Sequence, residues 1–364
     1  MITHRTAWPR ALGSFMAWSA ICAAAQPAPR TVAALRTAVP PVLDGALSEP
    51  CWQEAAKADG FSPLYKAAEP AREQTVGRVV YDDANLYVGI DCLESRMDLV
   101  RAARVKSGTA FDYAQGETVE IFLDARRNRR DFLQILVNTN GTWKAHPTEE
   151  MQLCTLPIEP RVTLRDNGFS VEVRVPFAAL HLGPNPERTW GFNLCRARMI
   201  EGGMEIDPNL VYSAWQNTGG AFRQPERFGT LKVDADLSEY WIAVSALVKE
   251  ADFVLDLENL CGRDRDLVLN CTLGERAMPP QPAVLPTGGK QRVAFPRPAG
   301  KTALAVTLTD RVSGRVCYVG GTAVEETASP TRVGPSTRFR VKVDTFASSS
   351  IRSGRGALVL LQLA

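Results

Sequence analysis

The feature that most constrains this chain is a hydrophobic period of two. In Val119-Glu120-Ile121-Phe122-Leu123-Asp124, Val119, Ile121 and Leu123 fall on one face, and Glu120, Phe122 and Asp124 on the other. Leu133, Ile135 and Val137 repeat the alternation, with Gln134 and Asn138 opposite. Successive side chains of a strand point to opposite sides, so these runs predict half-buried strands. Similar runs recur at 76–95 around Asp82-Asp83-Ala84-Asn85, at 161–177 around Asp166-Asn167-Gly168, at 188–199 and at 228–233. Short strands broken by turn residues at this spacing predict a β-sandwich. Helix is expected only in short pieces, near Glu49–Ala58 and Phe177–Leu180. Beyond a polar break at Asp234–Tyr240, residues 251–275 and 302–326 read as two hairpins of a second, immunoglobulin-like sandwich. The fold class is therefore all-β: two β-sandwich domains, at 39–235 and 236–346. Residues 347–364 read as a tail or a chain cut short.

The N-terminus reads as an address. His4, Arg5 and Arg10 precede the small, apolar run 11–25, which ends in Ala23-Ala24-Ala25. This is the pattern of a signal peptide over 1–25, too short for a membrane span. Residues 26–38 read as a linker. No other segment is apolar enough for a transmembrane span, so the expected location is secreted, periplasmic or cell surface. The formal net charge of +2, with scattered basic residues, excludes the electrostatic footprint of a nucleic-acid binder. The densest basic cluster, Arg126-Arg127-Asn128-Arg129-Arg130, reads as a solvated turn between two apolar runs. Of eight cysteines, Cys22 lies in the signal-like stretch; the other seven (Cys51, Cys92, Cys154, Cys195, Cys261, Cys271, Cys317) are widely spaced, with no C-x-x-C. That spacing argues against zinc and leaves buried free thiols as the expectation.

Seven segments, in order, carry a family likeness: Pro41-Val42-Leu43-Asp44-Gly45 with Trp52; Tyr81-Asp82-Asp83-Ala84-Asn85-Leu86-Tyr87-Val88; Thr118 to Asp124; Gly168 to Glu172 and on to Pro176; Gly191-Phe192-Asn193-Leu194; Ser213-Ala214-Trp215; and Pro225-Glu226-Arg227-Phe228-Gly229. Together they make residues 39–234 resemble the family 9 carbohydrate-binding module, a β-sandwich found in secreted glycan-degrading proteins. The resemblance implies a polysaccharide or oligosaccharide partner, and two aromatic rings that clamp a sugar. Tyr113, shifted by one, is nearest to the first clamp position, and Phe222 occupies the second. Glu120 matches the family's glutamate. The family's glutamine is replaced by Cys195, and the arginine expected on the next strand is missing, with Leu136 nearest. The scaffold thus carries over, while terminal-glucose specificity does not.

The expected ligand-binding set is Tyr113, Glu120, Gln134, Asn138, Trp143, Asn193 and Phe222. Trp143 enters as an aromatic at a loop tip after Asn138-Thr139-Asn140-Gly141. Trp52, Trp190 and Trp215 are expected in the core. Glu120 and Asp124 share a face but stand four residues apart, about 13 Å along a strand, wide for a glycosidase pair. Asp124 is expected to open the turn to Arg126. No cofactor is expected; a structural calcium ion at Asp82, Asp83 and Asn85 is a candidate, although turn chemistry alone explains those residues. His146 and His181 lack carboxylates at metal-ligand spacing, and no G-x-S-x-G or phosphate-cradling loop occurs. The leading expectation is a secreted, non-catalytic carbohydrate-binding protein of polysaccharide breakdown. The alternatives are an accessory part of a glycoside hydrolase, or a cell-surface interaction module that has lost sugar binding.

Overall fold

The computed structural model describes residues 28–106, 111, 116–148, 157–199, 208–249, 252–296 and 302–324. The signal-like stretch, Tyr113, Cys154 and the tail lie outside these. Along the chain, β1 (Thr31–Ala33) and β2 (Leu35–Arg36) precede helix α1 (Pro50–Glu54) and the short strands β3 (Lys57–Ala58) and β4 (Ser62–Pro63). Then come β5 (Thr75–Tyr81), β6 (Asn85–Leu93), helix α2 (Met97–Lys106), β7 (Thr118–Asp124), β8 (Leu133–Asn138) and β9 (Trp143–Pro147). They are followed by β10 (Glu159–Arg165), β11 (Gly168–Pro176), β12 (Thr189–Ala197), helix α3 (Pro208–Val211), β13 (Tyr212–Ala214) and β14 (Gly229–Lys232). These strands form two sheets. The first runs β1-β14-β12-β7-β8-β9, with β13 beside β12 and β4 beside β13; the second runs β10-β11-β6-β5-β2, with β3 beside β5.

The alternation decides how the sheets meet. Val119, Ile121 and Leu123 of β7 and Leu133, Ile135 and Val137 of β8 share one buried core with Val79, Val88, Ile90, Val171 and Val173 of the second sheet. Trp190 and Trp215 lie in the same core. A second unit has its own core, built around Phe253, Leu255, Leu269 and Phe295. Its strands are β15 (Ile242–Lys249), β16 (Asp252–Asn259), β17 (Arg265–Leu273), β18 (Arg276–Ala277), β19 (Gln281–Leu285), β20 (Lys290–Pro296), β21 (Thr302–Asp310) and β22 (Val316–Val324). One sheet runs β15-β16-β20 and the other β18-β17-β21-β22, with β19 beside β17. The two units touch: Arg315 Nη1 donates to the Asp83 carbonyl at 2.7 Å, which also accepts from Tyr240 Oη of the first core at 2.8 Å, and the His181 ring stacks on Tyr318 at 4.7 Å.

Two local expectations change. Residues 31–36 were expected within a linker, yet β1 pairs in parallel with β14 and β2 with β5, so this segment edges both sheets. Three and two residues are too few to display an alternation. Helix α2 was also unforeseen; its buried Met97, Val100 and Ala103 recur at intervals of three, a one-sided helical stripe.

The segment Leu43-Asp44-Gly45 and helix α1 are held by one carboxylate. Glu172 of β11 accepts from the backbone N–H of Asp44 and Gly45 at 2.9 and 2.6 Å, and from Trp52 Nε1 at 2.9 Å. Gly45 has φ +86° and sits against the Val162–Thr163 backbone, so a side chain there would be both strained and crowded. Trp52→Phe removes one donor from the buried carboxylate and leaves a gap. It is expected to cost about 2 kcal/mol, read as a lowered urea midpoint. An unchanged midpoint would show that this carboxylate does not hold the segment.

Candidate functional site

Directly opposed residues of an antiparallel pair share a face. The register therefore lays two rows across the outer side of the first sheet: Cys195–Glu120–Leu136–Lys144, and Asn193–Phe122–Gln134–His146. An apolar floor of Phe122, Phe132, Cys195, Ala214 and Phe228 lies on this side, and Phe222 packs against it. Phe222 also meets the Tyr212 ring edge-on at 5.8 Å, and the Arg223 guanidinium lies 5.4 Å over the Phe132 ring.

Into this floor is set a polar pair. Gln134 Nε2 donates to Glu120 Oε2 at 2.6 Å, and Glu120 is only 5% exposed. Burial pushes the Glu120 carboxyl up to about 7, against the pull of the Gln134 bond and the Arg223 charge. Burial also lifts the Cys195 thiol well above its ordinary range, with the Glu120 charge adding to the effect. His146 is held down to about 4 by burial and by the charges of Lys144 and Arg223. Gln134 Oε1 and Thr118 Oγ1 are buried without a hydrogen-bond partner among the described residues. A buried acceptor left unmade costs about 1–3 kcal/mol, so such an atom on this face is a mark of a site awaiting a donor.

The expected site residues divide. Glu120, Gln134 and Phe222 share the outer face. Asn193 is fully buried, with both ends of its amide taken by the Gln216 backbone at 2.9 Å, so it positions the loop after Trp215. Asn138 is also fully buried, and its Oδ1 accepts the Asn140 N–H of the turn that ends β8. Trp143 is not at a loop tip: it opens β9 opposite the core residue Val137, so its ring, 36% exposed, lies on the other face from Glu120. Tyr113 lies outside the described residues. Tyr212, Arg223, Lys144 and His146 were missed, because they reach this face only through strand pairing and the loop after β13.

The remaining carboxylates have separate duties. Asp124 accepts the backbone N–H of Asn128 and Arg129 at 3.2 and 2.8 Å and so holds the turn, as expected. Asp131 takes the Asn128 amide at 2.7 Å. Glu117 faces inward, where Arg196 donates to it at 2.7 Å and to Glu94 at 2.9 Å, while Arg198 donates to Glu94 at 2.8 Å. Arg196, Glu117 and Glu94 are essentially inaccessible. Burial pushes Glu117 up to about 8 despite Arg196, and Glu94 adds to that push. Against burial, hydrogen bonding to Arg198 and Glu117 holds Glu94 down to about 2.

The turn considered for calcium is occupied by its own donors. Asp82 accepts the Ala84 and Asn85 N–H and the Tyr87 hydroxyl, each at 2.7 Å, and Asp83 pairs with Arg36 at 2.6 Å. These residues do not offer the six to eight free oxygens calcium takes. Among the described residues no group of three or more His, Cys, Asp or Glu could hold a metal ion. The six described cysteines outside the signal-like stretch are buried and free. No described helix is long and apolar enough to cross a membrane. A cleft between the two units is lined by Arg126, His181, Lys290 and Arg292; Arg292 pairs with Asp256 and Lys290 with Glu258, which makes it a self-neutralised seam.

Residues 43–235 match the family model described as carbohydrate family 9 binding domain-like. Among solved structures, a family 9 carbohydrate-binding module from Caldicellulosiruptor kristjanssonii in complex with cellotriose is 19% identical, with a TM-score of 0.39, covering 57% of this chain and 95% of that one. The module from the same organism in complex with glucose is 20% identical, with a TM-score of 0.40, covering 57% of this chain and 97% of that one. No curated protein matches.

Proposed function

This chain belongs to the carbohydrate family 9 binding domain-like family, and from that premise we propose that it is a secreted, non-catalytic glycan-binding protein whose site is the outer face around Glu120. The observation that carries the site is the buried Glu120–Gln134 pair, with Gln134 Oε1 unpartnered among the described residues, set in an aromatic floor beside Phe222 and Tyr212. Sugars present apolar C–H faces that suit aromatic rings, and hydroxyls that need fixed partners. Glu120 accepts a hydrogen bond from a sugar hydroxyl, Gln134 Oε1 accepts another, and Phe222 supplies a stacking surface. The signal-like residues 1–25 support export, and the family premise supports a part in polysaccharide breakdown by holding the chain on its substrate. Asp124 is committed to its turn, which leaves Glu120 without a partner carboxylate on this strand and favours binding over hydrolysis.

A glycan array and a pull-down on insoluble polysaccharides test this reading. Glu120→Ala and Phe222→Ala are each expected to weaken binding at least tenfold, while Trp143→Ala leaves it within twofold. Binding that survives both of the first two variants would move the site off this face. Binding to no glycan would remove the function.

A further inference from the structure

We propose that the glycan held at this face is acidic, a uronic acid unit whose carboxylate pairs with Arg223. The inference rests on the glycan-binding reading above and adds the ligand's charge to it. Arg223 is exposed, and its guanidinium is laid over the Phe132 ring at 5.4 Å, one residue from Phe222. No ion pair joins it to a carboxylate among the described residues. Lys144 stands in the same outer row as Glu120, but the cation the inference rests on is Arg223. The carboxylate in the two rows, Glu120, is buried and turned to Gln134 rather than to Arg223.

A neutral sugar would leave the Arg223 guanidinium without an ion-pair partner among the described residues. A carboxylate on the pyranose ring would answer it, because a guanidinium presents a planar pair of N–H donors that matches a carboxylate in bidentate fashion. Stacking on Phe132 holds the fork in place and reduces the ordering cost of that match. Gln134 Oε1, on which the glycan-binding reading already rests, is an acceptor unpartnered among the described residues, on a side chain only 4% exposed, within the same row as His146 and next to the Glu120–Lys144 row. It takes a ring hydroxyl as donor, while Arg223 takes the acid group. His146, neutral near pH 7, neither adds to nor opposes the Arg223 charge.

The test is isothermal titration of the full chain with four probes: an oligogalacturonate, its fully methyl-esterified form, a cello-oligosaccharide and a sulfated oligoglucan. The acid form is expected to bind at least tenfold more tightly than its ester at low salt, with the gap shrinking as ionic strength rises. Arg223→Gln is expected to lower the acid form's affinity toward that of the ester, and Arg223→Lys to restore part of the gap. Equal affinity for acid and ester, or an equal loss of both in Arg223→Gln, would overturn the acidic-glycan proposal while the glycan-binding reading stands. Preference for the sulfated probe would overturn the carboxylate assignment. Binding to none of the probes or to any arrayed glycan would remove both.

Discussion

Arg196→Met is expected to destabilise the protein by about 3–5 kcal/mol, the cost of breaking a buried ion pair from one side. Arg196 is fully buried and its guanidinium is the cation paired with Glu117 among the described residues. Methionine fills much of the same volume and tolerates irregular packing, so the loss isolates the charge. It strands the Glu117 carboxylate between the sheets and takes one of two guanidiniums from Glu94, which keeps Arg198. The loss also has a sign in pH. A buried carboxyl without its cation has a folded pKa raised above its unfolded value, so its penalty is complete above the folded value and fades as acid protonates it. Glu117 already lies at about 8 beside Arg196 and rises further without it, so the charge part of the deficit, read from urea unfolding at several pH values, is expected to grow as the pH rises above 8 and to be absent toward pH 5. A deficit that does not grow between pH 7 and pH 9 would mean that the cluster does not carry this load.

Glu120→Gln is expected to act in the opposite direction. The Glu120 carboxyl is raised from 4.5 to about 7 by burial. Between those values the folded protein keeps a proton that the unfolded chain has released, so raising the pH favours unfolding. At 1.36 kcal/mol per pKa unit, the accumulated penalty above pH 7 is about 3 kcal/mol. Glutamine does not titrate, and its amide offers a donor to the orphaned Gln134 Oε1. The variant should therefore match the parent near pH 4 and exceed it by about 3 kcal/mol at pH 8, while binding glycan more weakly. Such a trade is expected where a residue serves a ligand at the expense of the fold. A stability difference that does not change with pH would contradict the burial argument.

How much of this could be read from the sequence depends on how local each signal is. The core faces of β7 and β8, the burial of Trp52, Trp190 and Trp215, and the turn-holding role of Asp124 follow from short-range alternation and turn chemistry. The membership of Glu120 and Gln134 in one face follows from the same period. Trp143 was read at the tip of the loop after Asn138-Thr139-Asn140-Gly141, whereas β9 begins on Trp143 itself and pairs it with Val137. The Arg196 cluster was hidden because its members come from β6, β7 and β12 or the residues flanking them, which meet only in space. One clue was available: Arg196 continues the inward series Phe192, Leu194, and a cation at such a position requires buried carboxylates. Arg223 carries no periodic signal, since it sits in a loop whose course is set by Asn193 and the Gln216 backbone.

The parallel pairing of β1 with β14 joins Thr31 to Thr230 and Ala33 to Lys232. Nearly two hundred residues separate these partners, so their contact carries one of the longest loop closures of the domain. During synthesis the first strand must leave the ribosome and wait, unpaired, until β14 follows it out. The sandwich can be sealed at that edge only when almost the whole domain exists. Conditions that slow translation between these two strands should therefore lengthen the time during which a bare sheet edge is open to other chains.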